Sequence, residues 1–215
     1  MSTQGREEIE RALHNPAAAE AFAEALDRFQ SLGLTKVRYA ANLGDRRALF
    51  HIAYALQRRS ILEIGTCNGA STAFLAQAAA MTAARSGDDD WRVVSVDLVD
   101  VNDPQEGFWR DSGLPFAPAE ILERLGLRRG VEFLDGGSDR YLQTTEQQFD
   151  FVFIDGSHNA ANVYPDVTGV LERLTPGGVV LLHDYCPGGR PIWSGEPAIP
   201  GVYLGVRRAM RDIPE

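Results

Sequence analysis

Five short segments, SILEI (60–64), RVVSVD (92–97), VEFLD (131–135), FDFVFID (149–155) and GVVLLHD (178–184), are rich in Val, Ile, Leu and Phe, and each carries an acid at or near its carboxyl end. Strands apolar on both faces must be covered on both, and the stretches between them have helical character. That combination predicts a doubly wound α/β fold, with a mostly parallel sheet between two helical layers. In such sheets ligands bind outside the carboxyl ends of the strands, where the strand order reverses. Glu63, Asp97, Asp135, Asp155 and Asp184 are therefore expected around one crevice rather than spread over a solvated surface.

The remaining segments frame this core. Residues 6–30 read as two helices broken at Asn15-Pro16, placed either to cap the core or to pair with a second subunit, and a third helix is expected over 44–58. SGDDDWR (86–92) reads as a turn, and residues 101–118, with Pro, Gly and three aromatics, as a long loop or lid. At 215 residues the chain suffices for one sizeable core. The formal net charge of −9, from 21 Lys plus Arg against 30 Asp plus Glu, argues against a nucleic-acid partner. No apolar run approaches the roughly 18 residues that cross a bilayer, and the N-terminus lacks a signal pattern, so a cytoplasmic protein off the membrane is expected. Cys67 and Cys186 are expected as free thiols.

The segment ILEIGTCNGAS (61–71) joins the first strand to the next helix. Gly65 and Gly69 allow the backbone to approach a ligand, and Ser71 and Thr72 stand where helix N–H groups need caps. A dinucleotide fingerprint would need glycine at 67 and a small third glycine at 70, where this chain has Cys and Ala, and no Gly-Lys-Ser/Thr follows for a phosphate loop.

The pattern E-x-G-x-x-x-G, followed by an acid at the next strand end, resembles the opening motifs of class I S-adenosylmethionine-dependent methyltransferases, which have a Rossmann-like fold. LDGGSDRYL, FDFVFIDGSH and LTPGGVVLLHDY extend the resemblance over residues 45–185, toward the small metal-dependent O-methyltransferases (catechol, caffeoyl-CoA and macrocin types) and the cephalosporin hydroxylase-like proteins. The resemblance divides the chain into a helical extension, 1–43, and a methyltransferase domain, 44–215. It implies that Glu63, Gly65, Thr66 and Asn68 line the amino-acid end of S-adenosyl-L-methionine, with Gly69 and Ser71 beside them. Asp97 then holds the ribose hydroxyls, because two carboxylate oxygens match a vicinal diol, and Ser138 and Asp139 flank the adenine. The 34 residues from Glu63 to Asp97 exceed the roughly 20 usual in nucleotide-binding βαβ units, an excess the turn at 86–91 absorbs.

The same resemblance implies a small-molecule hydroxyl substrate such as a sugar, phenol or natural-product scaffold, and a divalent metal that lowers the hydroxyl pKa. The metal positions are Asp155, His183 and Asp184, with Asp155 also bordering the cofactor and serving catalysis. Mg²⁺ is the expected ion, while a ligating His183 would favour Mn²⁺, Fe²⁺ or Zn²⁺. Neighbouring strand residues point to opposite faces, so His183 and Asp184 can share an ion only where the strand has unwound; otherwise His183 is a packed strand-end residue. His158 falls at the position of a general base, with helix capping as the alternative role. His51 reads as structural and His14 as exposed. Phe108, Trp109, Phe116 and Trp193 are candidates for a substrate wall or a subunit contact. Beyond 185 one helix is expected, and either the sheet stops at five strands, PIWSGEPAI supplies a pairing, or a second chain covers the edge in a homodimer. Two other readings share these residues: a hydroxylase-like enzyme on the same scaffold and a non-catalytic cofactor-binding protein.

Overall fold

The computed structural model describes residues 3–191 and 199–213. Three helices come first, α1 (Thr3–Leu13), α2 (Pro16–Ser31) and α3 (Leu43–Ala55). Strands and helices then alternate: β1 (Ser60–Ile64), α4 (Ala70–Arg85), β2 (Arg92–Asp97), α5 (Pro118–Leu125), β3 (Val131–Asp135), α6 (Ser138–Thr144), β4 (Phe149–Ile154), α7 (Ala160–Arg173), β5 (Leu174–Leu182) and α8 (Pro200–Asp212). The five strands are all parallel in the order β3-β2-β1-β4-β5, so the order reverses between β1 and β4. This is the doubly wound α/β arrangement read from the sequence. Among the described residues no helix is long and apolar enough to cross a membrane.

Period-two alternation sorts the strand side chains into two cores. Ile61, Val93, Phe151 and Phe153 face the layer that holds α1 to α5, while Leu62, Ile64, Val94, Val96, Val152 and Ile154 face α6, α7 and α8. The first two helices cap the first core: Phe29 of α2 stacks on Phe74 of α4 with centroids 4.1 Å apart, and Phe22 meets Phe50 of α3 edge-on at 5.4 Å. Burying one such ring stabilises the fold by about 1.5–3 kcal/mol. Asn15 caps α2 by accepting from the Ala18 N–H, and Pro16 follows at the first helical position, where its missing N–H costs nothing.

Three element boundaries differ from the sequence reading. Helix α3 ends at Ala55 rather than near 58, because Gln57 takes a left-handed φ of 56° and the chain turns into β1. Strand β5 starts at Leu174, not 178: Leu174 pairs with Phe149 across a bulge, and Pro176 is tolerated in a strand that pairs on one side only. It also ends two residues early, at Leu182. The segment 101–117 has no regular structure, yet it is tucked in: Val101, Trp109 and Leu114 are buried. Trp109 belongs to the core, Phe116 packs against it and Phe108 is exposed. Trp193 and most of PIWSGEPAI lie outside the described residues, among which β5 has no second strand neighbour.

Candidate active site

A cleft of about 790 Å³ opens at the carboxyl ends of the strands, at the β1/β4 reversal, within the range of small-ligand sites. Its floor is the turn after β1, where Gly65 and Cys67 have φ of 96° and 53°. A Cβ on Gly65 would lie 2.2 Å from the Asp155 carbonyl oxygen, and one on Gly69 2.6 Å from Pro118 Cβ. Both glycines are thus required by chain packing against chain, whatever ligand lies above them. Ser71 and Thr72 sit inside the first turn of α4 and do not cap it; Gly69 is the cap residue, and Asn68 Oδ1 accepts from the Ala70 N–H at 3.1 Å.

Around this turn the polar side chains are mostly committed to the protein. Asn68 Nδ2 donates to the carbonyls of Arg38 and Tyr39 and to Ser112 Oγ, at 3.1, 3.2 and 2.9 Å, tying the α2–α3 connection over the cleft. Thr66 Oγ1 lies 2.6 Å from Ser95 Oγ. Period two places Glu63 on the α4 face of β1, beneath the cleft floor, where its Oε2 accepts from Thr72 Oγ1 and Ser95 Oγ while Oε1 has no partner. Burial pushes the Glu63 carboxyl up to about 8, so it is largely protonated at neutral pH.

Asp97 remains half-buried on the cleft wall. Its Oδ2 accepts from the Cys67 N–H at 2.8 Å, which orients the carboxylate. Next to it Leu98 is 79% exposed, an apolar side chain on the cleft wall. Ser138 and Asp139 open α6 on the same wall, and Ser138 Oγ donates to Asp166 Oδ1 at 2.6 Å. Asp166 is buried on α7, and burial raises its pKa. Sequence reasoning missed Asp166, Leu98 and the overhanging Tyr39.

The β4 and β5 ends are different in kind. Asp155 and Asp184 flank the His183 ring, whose Nδ1 is 3.2 Å from Asp155 Oδ1 and 3.2 Å from Asp184 Oδ2. Because β5 has already ended and Asp184 adopts a φ of 56°, the two neighbours turn toward the same space. The contacting carboxylates, Asp155 foremost, raise His183 to about 11, and His183 in turn lowers Asp184. Neither contact has hydrogen-bond geometry, so Nδ1 is a buried polar atom without a hydrogen-bond partner. On the ring's other side Nε2 lies 3.3 Å from Asp45 Oδ2 of α3, and the Phe153 ring meets the imidazole edge-on. His158 Nε2 is 2.9 Å from Asp184 Oδ2, its side chain 55% exposed on the cleft. It does not cap α7; Asn159 does, accepting from the Ala161 N–H. His51 is buried against Phe22 and Phe50, and His14 is exposed.

This donor set fits a divalent cation. Ligand atoms of Asp155, His158 and Asp184 lie within 4.8 Å of one another. The open cradle beside Gly136, where an added Cβ would meet nothing within 4 Å, and the half-buried Asp97 fit an elongated polar cofactor.

Residues 62–185 match the family model described as "Methyltransferase domain". The chain is similar in structure to the O-methyltransferase TomG from Streptomyces achromogenes, solved in complex with SAM, at 26% identity and a TM-score of 0.59 over 89% of this chain and 76% of that one. Cofactor-bound Rv0187 from MTB follows at 25% identity and a TM-score of 0.57, covering 89% and 76%. The O-methyltransferase from Bacillus cereus in complex with SAH shares the fold at 22% identity and a TM-score of 0.56, covering 89% and 77%. Comparison with curated protein sequences returns no match.

Proposed function

We propose the reaction from one premise: the chain belongs to the methyltransferase-domain family, matched over residues 62–185. It is an S-adenosylmethionine-dependent methyltransferase, and the hydroxyl of a small molecule is its acceptor. The observation that carries this reading is the placement, across the β1/β4 reversal, of a cofactor-sized wall around Asp97 opposite an imidazole–carboxylate pair, His158 and Asp184.

When bound, S-adenosylmethionine supplies an electrophilic methyl on a sulfonium, and the substrate oxygen forms the new O–C bond as the C–S bond breaks to leave the thioether. Asp97, already oriented by Cys67 N–H, offers its other oxygen to the ribose diol. Leu98 gives the adenine an apolar face, and Ser138 is held in place by Asp166. His158 takes the hydroxyl proton: with Nε2 turned to Asp184, its Nδ1 faces no hydrogen-bond partner among the described residues, and the carboxylate stabilises the imidazolium that results. Asp155, His183 and Asp184 would hold a divalent cation, which supplies Lewis-acid activation of the acceptor oxygen.

Calorimetric titration of S-adenosylhomocysteine tests the reading. We expect one site per chain, with affinity falling about 10- to 150-fold in Asp97→Ala, the equivalent of a charged hydrogen bond of about 1.5–3 kcal/mol. An unchanged affinity in that variant would remove the ribose assignment, and no binding to the unaltered protein would remove the cofactor.

A further inference from the structure

We infer that Asp166 of α7 reads the 6-amino group of the cofactor's adenine, and so sets the preference of the site for an adenosyl over a 6-oxopurine nucleoside. The inference rests on the cofactor reading above and adds to it a residue from a helix that the strand-end motifs leave out.

Asp166 is only 3% exposed, yet it lines the cleft. Ala161, Asn162, Pro165 and Asp166 recur at helical spacing, so a single face of α7 forms this part of the wall. The side chain is held in place. Oδ1 accepts from Ser138 Oγ at 2.6 Å, and one turn further along both helices a Cβ on Gly169 would lie 3.0 Å from Leu142 Cβ, so α6 and α7 approach closely. Oδ2 has no hydrogen-bond partner among the described residues, and no Lys or Arg among them lines the cleft. A carboxylate buried without a cation is costly, and burial raises the Asp166 pKa, with the Asp139 charge adding to the effect. A ligand that donates a hydrogen bond to Oδ2 offsets that cost.

Chemistry identifies the donor. Ser138 directs its proton at Asp166, so the two side chains together present lone pairs to the cleft. Asp97 takes the ribose, and the base lies beyond it against Leu98, the next residue along the wall. On a glycosylated adenine the 6-amino group carries the only N–H. A 6-oxopurine puts an acceptor in its place, and acceptor then faces acceptor. Asp139 is the neighbouring acid, but it is exposed, with Oδ1 only 2.5 Å from where a Cβ on Gly137 would lie. A solvated carboxylate exchanges water for ligand at little net gain, whereas a buried one left unpaired penalises the wrong base.

Calorimetric titration of the full chain with S-adenosylhomocysteine and with S-inosylhomocysteine, its 6-oxo counterpart, tests this without turnover. The unaltered chain should bind the adenosyl compound about 10- to 150-fold more tightly. Asp166→Ala should bring the two affinities to within about threefold of each other, whereas a merely structural loss would weaken both compounds alike. Asp166→Asn keeps the volume and an oxygen for Ser138 but drops the charge, and should lower the preference by at least about threefold. That variant decides the matter if circular dichroism shows Asp166→Ala to be unfolded. Equal binding of the two compounds by the unaltered chain, or a preference that persists undiminished in Asp166→Asn, would overturn the inference. So would a preference that survives Asp166→Ala and collapses in Asp139→Asn, which would make Asp139 the reader. Failure of the unaltered chain to bind S-adenosylhomocysteine would remove the cofactor reading itself, and this inference with it.

Discussion

On the β1–β2–β3 side of the cleft nearly every polar side chain is satisfied within the protein, whereas on the β4–β5 side the polar side chains crowd one another. Asn68 spends all its hydrogen bonds on the backbone and Ser112, and Thr66 and Thr72 answer to Ser95 and Glu63. Asp155, His158, His183 and Asp184 instead form ion pairs at 2.9–3.2 Å, two of them through His183 Nδ1. The first side is a finished scaffold whose ligand meets a preset shape. The second crowds titratable groups together at the open cleft and shifts their pKa values, which makes it the candidate place for chemistry.

Substitutions on the two sides should therefore fail in different ways. The largest effect is expected on the reactive side: His158→Ala should lower kcat about 10²- to 10⁴-fold with affinity for S-adenosylhomocysteine and the urea midpoint both retained. A matching drop in stability would show that His158 belongs to the scaffold after all. On the other side Asn68→Ala should cost about 1–3 kcal/mol of stability, read as a lower urea midpoint at unchanged slope, because it orphans the groups that tie Arg38 and Tyr39 over the cleft. Full stability with lost cofactor binding would instead mark Asn68 as a ligand contact.

The smallest effect sharpens the comparison through pH. The unfolded Glu63 carboxyl ionises near 4.5 and the folded one near 8, so the folded state holds the extra proton between these values. Stability from this group is full below the lower value and is lost as pH rises toward the upper one, at no more than about 1.4 kcal/mol per pH unit. Glu63→Gln keeps an oxygen for Thr72 and Ser95 and has nothing to ionise. Its urea midpoint should gain on that of the unaltered chain between about pH 5 and pH 9. Parallel pH curves for the two proteins would place the ionisation of Glu63 outside the linkage.

How much of this was legible in sequence follows the same division. The buried strands stood out because central parallel strands need apolar residues on both faces, and the acids at their ends announced a crevice. Strand β5 was read too late because Thr175-Pro176-Gly177-Gly178 carries turn chemistry that an edge strand with a bulge absorbs. Glu63 read as a wall residue because the motif places it near Gly65. Its side chain turns beneath the floor by strand alternation, which is visible only once α4 is known to lie over that face. Asp45 and Asp166 gave no sequence signal, since a helix acid resembles any solvated one until tertiary packing brings it to the cleft. The reversal of His183 and Asp184 onto one space rests on a left-handed residue that no side-chain pattern announces.

The contact between Gly65 and Asp155 carries a consequence for how such a chain can diverge. With 2.2 Å between an imagined Cβ and the Asp155 carbonyl, any side chain gained in the first loop displaces the backbone that presents the second. Neither loop can drift alone, and a descendant must alter both together or keep both. Variation is cheaper in segments that overhang the cleft without joining the two, such as Tyr39–Ala41, so lineages of this fold should acquire new acceptors by rewriting the overhang and inherit the paired loops unaltered.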